Sequence, residues 1–328
     1  MVTTDRNPKS SARDEKIGKD SFLARSSWLA HPGSLTLVHS SMLKVISSHV
    51  FLSHRLHPGL LDVFSHAGAQ GVELFAARQH FDYTSRPHVR ELAEWFSGNP
   101  TEAFSMHAPL YSDLEMGRGG SPAVNVIHPE KSRRIDGMDE VKRALEVAEQ
   151  IPFRFLVLHL GERDDAWSPR ALEHSITALE HLHAFASPLG VKLLVENLQG
   201  DVARPAHLVE ILTAGHFRDI GVCLDVGHAH LGDGVAAAMI ELKAHVRSSH
   251  LHDNKGDKDT HLWPGDGTID WDTALGELKA APQTPAGVLE IHYSLGDSVE
   301  SVGEKTKKAF ARMDDAKGSR GSEGNAGQ

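Results

Sequence analysis

The sequence predicts an α/β protein built as a single parallel (β/α)₈ barrel, on the basis of three observations. Short apolar runs alternate with amphipathic helical segments from Met42 to about Met313. Several runs, such as Phe155 to Leu158, are continuously apolar, which is typical of parallel strands covered by helices on both faces. Eight strand–helix units within 328 residues favour closure of the sheet into one barrel.

Eight apolar segments are the predicted strands. They are Leu43–His49, Gly71–Ala76, Ala103–Ala108, Phe153–Leu160, Val191–Asn197, Ile220–Asp225, Val246–His252 and Gly287–His292. Between them, helical periodicity is clear around 141–151 and 172–185. Ser168 before Pro169, and Asp270 before Thr273, are expected to cap helices. An open doubly wound sheet is the alternative, but no glycine-rich phosphate-binding turn follows the first strand.

The two ends of the chain differ in character from the barrel segment. Residues 1–41 and 314–328 are polar and mixed in charge, so we expect disordered extensions around a barrel domain of residues 42–313. The first residues lack the apolar stretch of a secretory signal. With Cys223 as the one cysteine, we expect a cytoplasmic protein without disulfides, and we interpret that thiol as a small buried hydrophobe.

Charge and hydropathy narrow the classes of partner. The formal net charge of −10 argues against a protein whose main role is to grip a polyanion. Apolar runs have strand length and are too short to span a bilayer, so no membrane partner is expected. The oligomeric state does not follow from the sequence.

Side chains of the kind that bind metals follow the ends of six predicted strands. In a parallel barrel the carboxyl ends of all strands meet on one face. A lone histidine there is more often an ordinary hydrogen-bonded residue, but scattered histidines have no reason to recur at the same point of successive strands. The candidate metal ligands are His107, His159, Glu196, Asp225, His228, His250, Asp259, His261 and Glu290.

This ligand set favours particular ions. Imidazole and carboxylate without thiolate suit Zn²⁺ or Mn²⁺, and the number of ligands suggests one to three divalent ions per chain. A carboxylate such as Glu196 after an apolar run needs a cation, because burying it unpaired is costly. Of the adjacent His252 and Asp253, which are left over, either one is a candidate to orient a ligand imidazole.

The motifs at these positions resemble those of the xylose isomerase-like barrel superfamily, which includes endonuclease IV, sugar isomerases and epimerases, and inosose dehydratase-type enzymes. They are HAP at His107, HLG at His159, VEN at Glu196, LDVGH at Asp225 and His228, HLHDN at His250, DTH at Asp259 and His261, and LE at Glu290. The resemblance to endonuclease IV implies three zinc ions held by all nine residues. The resemblance to the isomerases implies one ion at Glu196, Asp225, His250 and Glu290.

Two enzyme classes and one binding class remain. A sugar or sugar phosphate isomerase or epimerase would use Glu196 and Glu290 to move a proton, through an enediolate, while His228 holds a substrate hydroxyl. An endonuclease IV-like phosphodiesterase would cleave abasic DNA or a small phosphodiester, and it would explain the additional ligands. The third class is a non-catalytic sugar-binding barrel. A small sugar-like substrate is favoured over nucleic acid because the predicted loops mix both charges; these residues are Arg78, Arg86, Arg118, Arg163, Arg204, Asp164, Asp165, Asp201, Asp253, Asp257 and Asp297.

Removal of residues 1–41 is expected to leave the melting temperature and turnover nearly unchanged, because this polar segment contributes no predicted strand. Thermal unfolding of the truncated and full-length chains provides the measurement. A melting temperature several degrees lower in the truncated chain would show that the segment packs against the barrel.

Overall fold

The predicted parallel barrel is present. A computed structural model describes residues 41–294 and 296–316, and within them eight strands pair in chain order and close through β1 and β8. The strands are β1 Lys44–Ser47, β2 Gly71–Phe75, β3 Glu102–His107, β4 Phe155–Leu158, β5 Lys192–Glu196, β6 Gly221–Asp225, β7 Val246–Leu251 and β8 Ala286–Leu289. All eight predicted strands are confirmed, and all neighbouring pairs are parallel.

Helices follow the strands and cover the barrel. They are α1 Pro58–His66, α2 Arg86–Gly98, α3 Lys131–Leu145, α4 Pro169–Ala186, α5 Pro205–Ala214, α6 Val226–Leu231, α7 Val235–Leu242, α8 Trp271–Lys279 and α9 Val299–Asp315. The predicted caps are confirmed: the side chain of Ser168 accepts from the Ala171 amide, and that of Asp270 accepts from the Thr273 amide. The last helix ends two residues beyond the predicted limit at Met313.

Several predicted strands are longer than the strands observed in the structure. The reason is that buried apolar residues continue into the adjoining loops. Phe153 and Leu160, for example, are buried although they flank β4. The large core lies between the outer face of the barrel and the helices. The described residues contain no helix that is long and apolar enough to cross a membrane. Most of the two segments that are expected to be disordered, residues 1–40 and 317–328, lies outside the described part of the chain.

Strand alternation divides the interior of the barrel into layers. Successive side chains of a strand point to opposite faces, so residues two apart line the same face. Val157, Leu194 and Cys223 form a small apolar cluster separate from the main core. Two residues further along β5 and β6 come Glu196 and Asp225. The interior is therefore apolar in one layer and charged in the next, at the carboxyl end of the strands.

The beginning of α6 fits closely against β7. Asp225 caps this helix by accepting from the amide of His228. A Cβ atom at Gly227 would lie 2.0 Å from Cε1 of His252, whose imidazole is fully buried. Glycine is needed there for space, because the helical backbone itself suits any residue.

Gly227→Ala is expected to lower the free energy of unfolding by about 1–3 kcal/mol, the usual cost of forcing extra volume into a packed interior. Gly98→Ala, at the exposed end of α2 where an added Cβ meets nothing within 4 Å, is the matched control and should not destabilise the protein. Denaturant unfolding measures both. Equal stability of the two variants would contradict the close packing of His252 on α6.

Candidate metal centre

The nine predicted ligands converge at the carboxyl end of the barrel. Together with His252 they form three groups, and within each group one ligand atom from every residue lies within 4.8 Å of the others. Strand ends or the residues just after them supply most of these side chains, while Asp259 and His261 come from the loop after β7. The groups are His107, His159 and Glu196; Glu196, Asp225, His250 and Glu290; and His228, His252, Asp259 and His261.

The central group combines three carboxylates with one imidazole, all buried. Nδ1 of His250 lies 3.3 Å from Glu196 Oε1, 3.2 Å from Glu290 Oε2 and 3.8 Å from Asp225 Oδ2. Four strands, β5 to β8, thus deliver their terminal acidic or imidazole groups to one point.

Glu196 links the central group to the first one. Its second carboxylate oxygen, Oε2, lies 3.5 Å from Nε2 of His107 and 3.2 Å from Nε2 of His159. Glu196 is 1% exposed, so both of its oxygens face protein ligands rather than solvent. One carboxylate therefore belongs to two neighbouring ligand groups, with one oxygen facing each.

Asp259 holds the third group together. Its Oδ2 lies 3.0 Å from Nε2 of His228 and 3.3 Å from Nε2 of His261. His252 stacks on His261 with ring centroids 3.8 Å apart, and its Nε2 lies 3.0 Å from Asp225 Oδ2. This group is more accessible than the central one, because Asp259 is 31% exposed and His261 18%.

Backbone carbonyls fix the orientation of the outer imidazoles. Nδ1 of His107 lies 2.8 Å from the carbonyl of Ala108, and Nδ1 of His228 lies 3.0 Å from the carbonyl of Asn197. His261 is held in the same way by the carbonyl of Glu290 at 2.8 Å. An Nδ1–H that donates to a carbonyl leaves Nε2 free as a lone-pair donor, which is the form that binds a metal.

The residues present fit divalent cations. Nδ1 of His250 and of His252 are buried and have no hydrogen-bond partner, although the former faces three carboxylates. Within the described residues, no lysine or arginine forms an ion pair with Glu196, Asp225 or Glu290. A set of buried anions and unpaired imidazole nitrogens is the chemistry expected of a zinc or manganese centre.

Charges within the groups shift their protonation. Burial would raise the pKa of the Glu196 carboxyl, but the imidazoles of His250 and His159 lower it well below its usual range. Burial would lower the pKa of His261, but the hydrogen bond with Asp259 and the charge of Glu290 raise it to about 9. Without a metal, some of these imidazoles are therefore protonated. Binding of a cation would release those protons.

Two residues near the centre were not predicted in their observed positions. Glu73 of β2 is fully buried and contacts His250, yet it belongs to no predicted site; the signal was a charge inside the apolar run Gly71–Ala76. His252 was expected to orient a ligand but lies within the third group. Asp253, the other candidate to orient an imidazole, does not do so: its carboxylate accepts from the Gly265 and Ile269 amides and from the indole of Trp271.

A pocket of about 320 Å³ opens beside these groups. His159, His228 and Asp259 line its inner side, and the loop after β3 contributes Tyr111. Arg163 also lines it. The volume suits a small molecule rather than a polymer, and the pocket borders on the first group through His159 and on the third through His228 and Asp259.

Two relatives illustrate what the sequence resembles. The uncharacterised protein MJ1311 of Methanocaldococcus jannaschii is 27% identical over 271 residues, which cover 78% of this chain and 85% of that protein. The probable endonuclease 4 of Natronomonas pharaonis is 27% identical over 165 residues, which cover 44% of this chain and 58% of that protein.

Solved structures share the fold. The IOLI protein with a bound zinc atom has a TM-score of 0.70 and 17% identity, over 82% of this chain and 96% of its own. A D-tagatose 3-epimerase-like protein has a TM-score of 0.66 and 22% identity, over the same shares of the two chains. The profile of the family described as xylose isomerase-like TIM barrel matches residues 61–315. With that match spanning most of the barrel, the chain belongs to the xylose isomerase-like TIM barrel family.

Proposed function

We propose that this protein is a divalent-metal-dependent isomerase or epimerase of a sugar or sugar phosphate. The observation that carries the proposal is the pair of buried carboxylates, Glu196 and Glu290, which approach the same nitrogen of His250 beside a small pocket. Likeness in fold to a D-tagatose 3-epimerase-like protein supports the same reaction class.

The central group would hold the ion through Glu196, Asp225, His250 and Glu290, with zinc or manganese as the preferred metals. When bound, such an ion supplies a Lewis acid for the oxygens of a hydroxy-ketone and lowers the free energy of the enediolate that proton loss produces. This chemistry needs carboxylates on both sides of the reacting carbon.

The protein's own residues would carry out the proton transfer. One of Glu196 and Glu290 removes the proton from the carbon next to the carbonyl, and the other returns it. The imidazoles of His250 and His159 hold the pKa of Glu196 well below its usual range against the effect of burial, so the residue is present as the carboxylate, the form that can accept a proton. His228, which lines the pocket, would hold a substrate hydroxyl through a hydrogen bond at Nε2.

The mouth of the barrel favours a small substrate over DNA. Several of the arginines there are already paired or hydrogen-bonded within the protein: Arg78 donates to the carbonyl of Ser112 and lies 3.8 Å from Asp82, and Arg204 lies 3.7 Å from Asp201. Non-specific DNA affinity depends on cations free to neutralise phosphates, and the chain carries a net charge of −10.

A second candidate, hydrolysis of a phosphoester, is favoured by one specific observation. His107 and His159 approach Oε2 of Glu196, and Asp259 contacts the imidazoles of the third group. A one-ion isomerase does not require these two groups, whereas a centre with two or three ions would use them to clamp a phosphate. The relationship to a probable endonuclease 4 agrees with this alternative.

Metal analysis combined with two assays tests the choice. About one tightly bound ion per chain, with solvent deuterium appearing in a ketose at the carbon next to its carbonyl, supports the isomerase. About three ions with cleavage of an abasic duplex or a small phosphodiester supports the hydrolase. Absence of bound metal after purification and reconstitution would contradict both and leave a sugar-binding barrel.

Glu196→Gln and Glu290→Gln are each expected to reduce turnover by at least about 100-fold, the range for loss of a general acid or base, while the far-ultraviolet spectrum stays unchanged. Glu140→Gln is the control, since Glu140 is also a buried carboxylate but pairs with Tyr83 on the outside of the barrel. Full activity of the Glu290→Gln enzyme at unchanged metal content would overturn the assignment.

His107→Ala and His159→Ala separate the two chemistries. We expect each to lower the metal stoichiometry by about one and to leave the central ion in place, because both imidazoles approach Oε2 of Glu196, whereas His250 approaches Oε1. The ion lost would be additional to the one that the isomerase reaction uses, and its presence would favour the second candidate. If instead metal content stays constant and the Michaelis constant rises, the two histidines bind substrate. That second result would remove the main support for a centre with several ions.

A further inference from the structure

We propose that Glu73 is a positioning residue of the metal centre, which directs the lone pair of His250 Nδ1 toward the ion by accepting the proton on Nε2. The inference rests on the metal centre of the proposed function but not on the reaction that takes place there. Glu73 does not line the pocket and belongs to none of the three ligand groups, and His250 is the candidate ligand that its carboxylate contacts.

Geometry places Glu73 on the far side of His250 from the ion site. Nε2 of His250 lies 3.2 Å from Glu73 Oε1 and 3.3 Å from Oε2, while Nδ1 faces Glu196 and Glu290 at 3.3 and 3.2 Å. The imidazole is thus sandwiched between one carboxylate and the ligand carboxylates. Both Glu73 and His250 are 0% exposed.

The surroundings of Glu73 make a purely structural role expensive. Its partners among the described residues are the His250 imidazole and the hydroxyl of Ser105, which donates at 2.8 Å to Oε2. Oε1 has no hydrogen bond, and no lysine or arginine forms an ion pair with this carboxylate in the described part of the chain. Replacing both members of a buried charged pair by apolar residues is often neutral or stabilising, so a carboxylate in the apolar run of β2 calls for another benefit than stability.

That benefit follows from the two tautomers of histidine. A neutral imidazole carries its proton on either nitrogen, and only the nitrogen without a proton binds a cation. An acceptor at Nε2 holds the proton there and leaves Nδ1 free, with the ring turned toward Glu196 and Glu290. A carboxylate acceptor also increases the basicity of the ligand nitrogen, and loss of such a partner costs about 10–100-fold in metal affinity.

The outer histidines have a weaker version of the same arrangement. His107, His228 and His261 are oriented by backbone carbonyls, which no substitution of a side chain removes. His250 is oriented by a side chain instead, so the contribution of its partner is open to direct measurement.

The test compares Glu73→Leu and Glu73→Gln with the unaltered protein, using Zn²⁺ alone. Chelator competition gives the affinity of each ion, and elemental analysis gives the stoichiometry. We expect Glu73→Leu to lose about 10–100-fold in affinity for one ion only, while any ions at the other groups stay bound. Glu73→Gln keeps a neutral acceptor and should recover part of that loss.

A buried carboxylate elsewhere provides the matched control. Glu140→Leu removes a carboxylate that is 5% exposed and hydrogen-bonded to Tyr83, so it reports the effect on stability of losing such a group. Its zinc affinity should equal that of the unaltered protein. A spectroscopic readout accompanies these values: the slowly exchanging Nε2 proton of His250, seen by nuclear magnetic resonance with ¹⁵N-labelled histidine, should disappear in Glu73→Leu.

Unchanged zinc affinity in Glu73→Leu would overturn the proposal. If that variant does not fold, Glu73→Gln decides: we expect a smaller but measurable loss of zinc affinity, because a neutral acceptor raises the basicity of Nδ1 less than a carboxylate does, and an affinity equal to that of the unaltered protein would overturn the proposal. Failure of the proposed reaction is distinguishable from both outcomes, since zinc binding is measured without substrate. An affinity loss in Glu140→Leu as large as in Glu73→Leu would also overturn it, because it would mean that destabilisation alone weakens the site.

Discussion

The structure depends on one electrostatic constraint: the carboxylates at the top of the barrel have no lysine or arginine to balance them within the described residues. Glu196, Asp225 and Glu290 are 1%, 0% and 3% exposed, and their charged contacts are all imidazoles. Desolvating several anions in one place costs far more than a few hydrogen bonds return. Protonated histidines relieve part of that cost in the protein alone, and divalent cations would relieve more of it.

This constraint ties the fold to the site. Asp225 belongs to the central group, yet it also begins α6 by accepting from the His228 amide, and it contacts His252. Glu196 faces two groups through its two oxygens. Because these side chains serve more than one partner, a change in one ligand alters the next, and effects of single substitutions will not add. Gly227 contributes to the same coupling, because the absence of a Cβ atom there leaves space for the His252 imidazole, which contacts Asp225.

The strands and the side chains that converge at their ends could be predicted from the sequence because both leave local patterns. Continuous apolar runs identified all eight strands, and polar residues at their ends identified the residues that converge. Glu73 was missed because it lies in the middle of its strand: β2 has five buried residues, and alternation alone does not say which of them face inward. The role of Asp253 could not be predicted either, since its partners are backbone amides of a loop whose conformation the sequence pattern does not specify.

The arrangement also explains why one set of residues is compatible with two chemistries. Both need the central group, where carboxylates on either side of His250 could move a proton or hold an ion that binds phosphate. The groups differ in access: Asp259 and His261 are 31% and 18% exposed, whereas Glu73 and His250 are sealed inside the barrel. A molecule bound in the pocket would therefore approach the centre from the side of His159, His228 and Asp259, which line it. Whether metal ions occupy these outer groups therefore distinguishes the two chemistries. Without ions their side chains could bind a sugar hydroxyl, and with ions they could bind a phosphate.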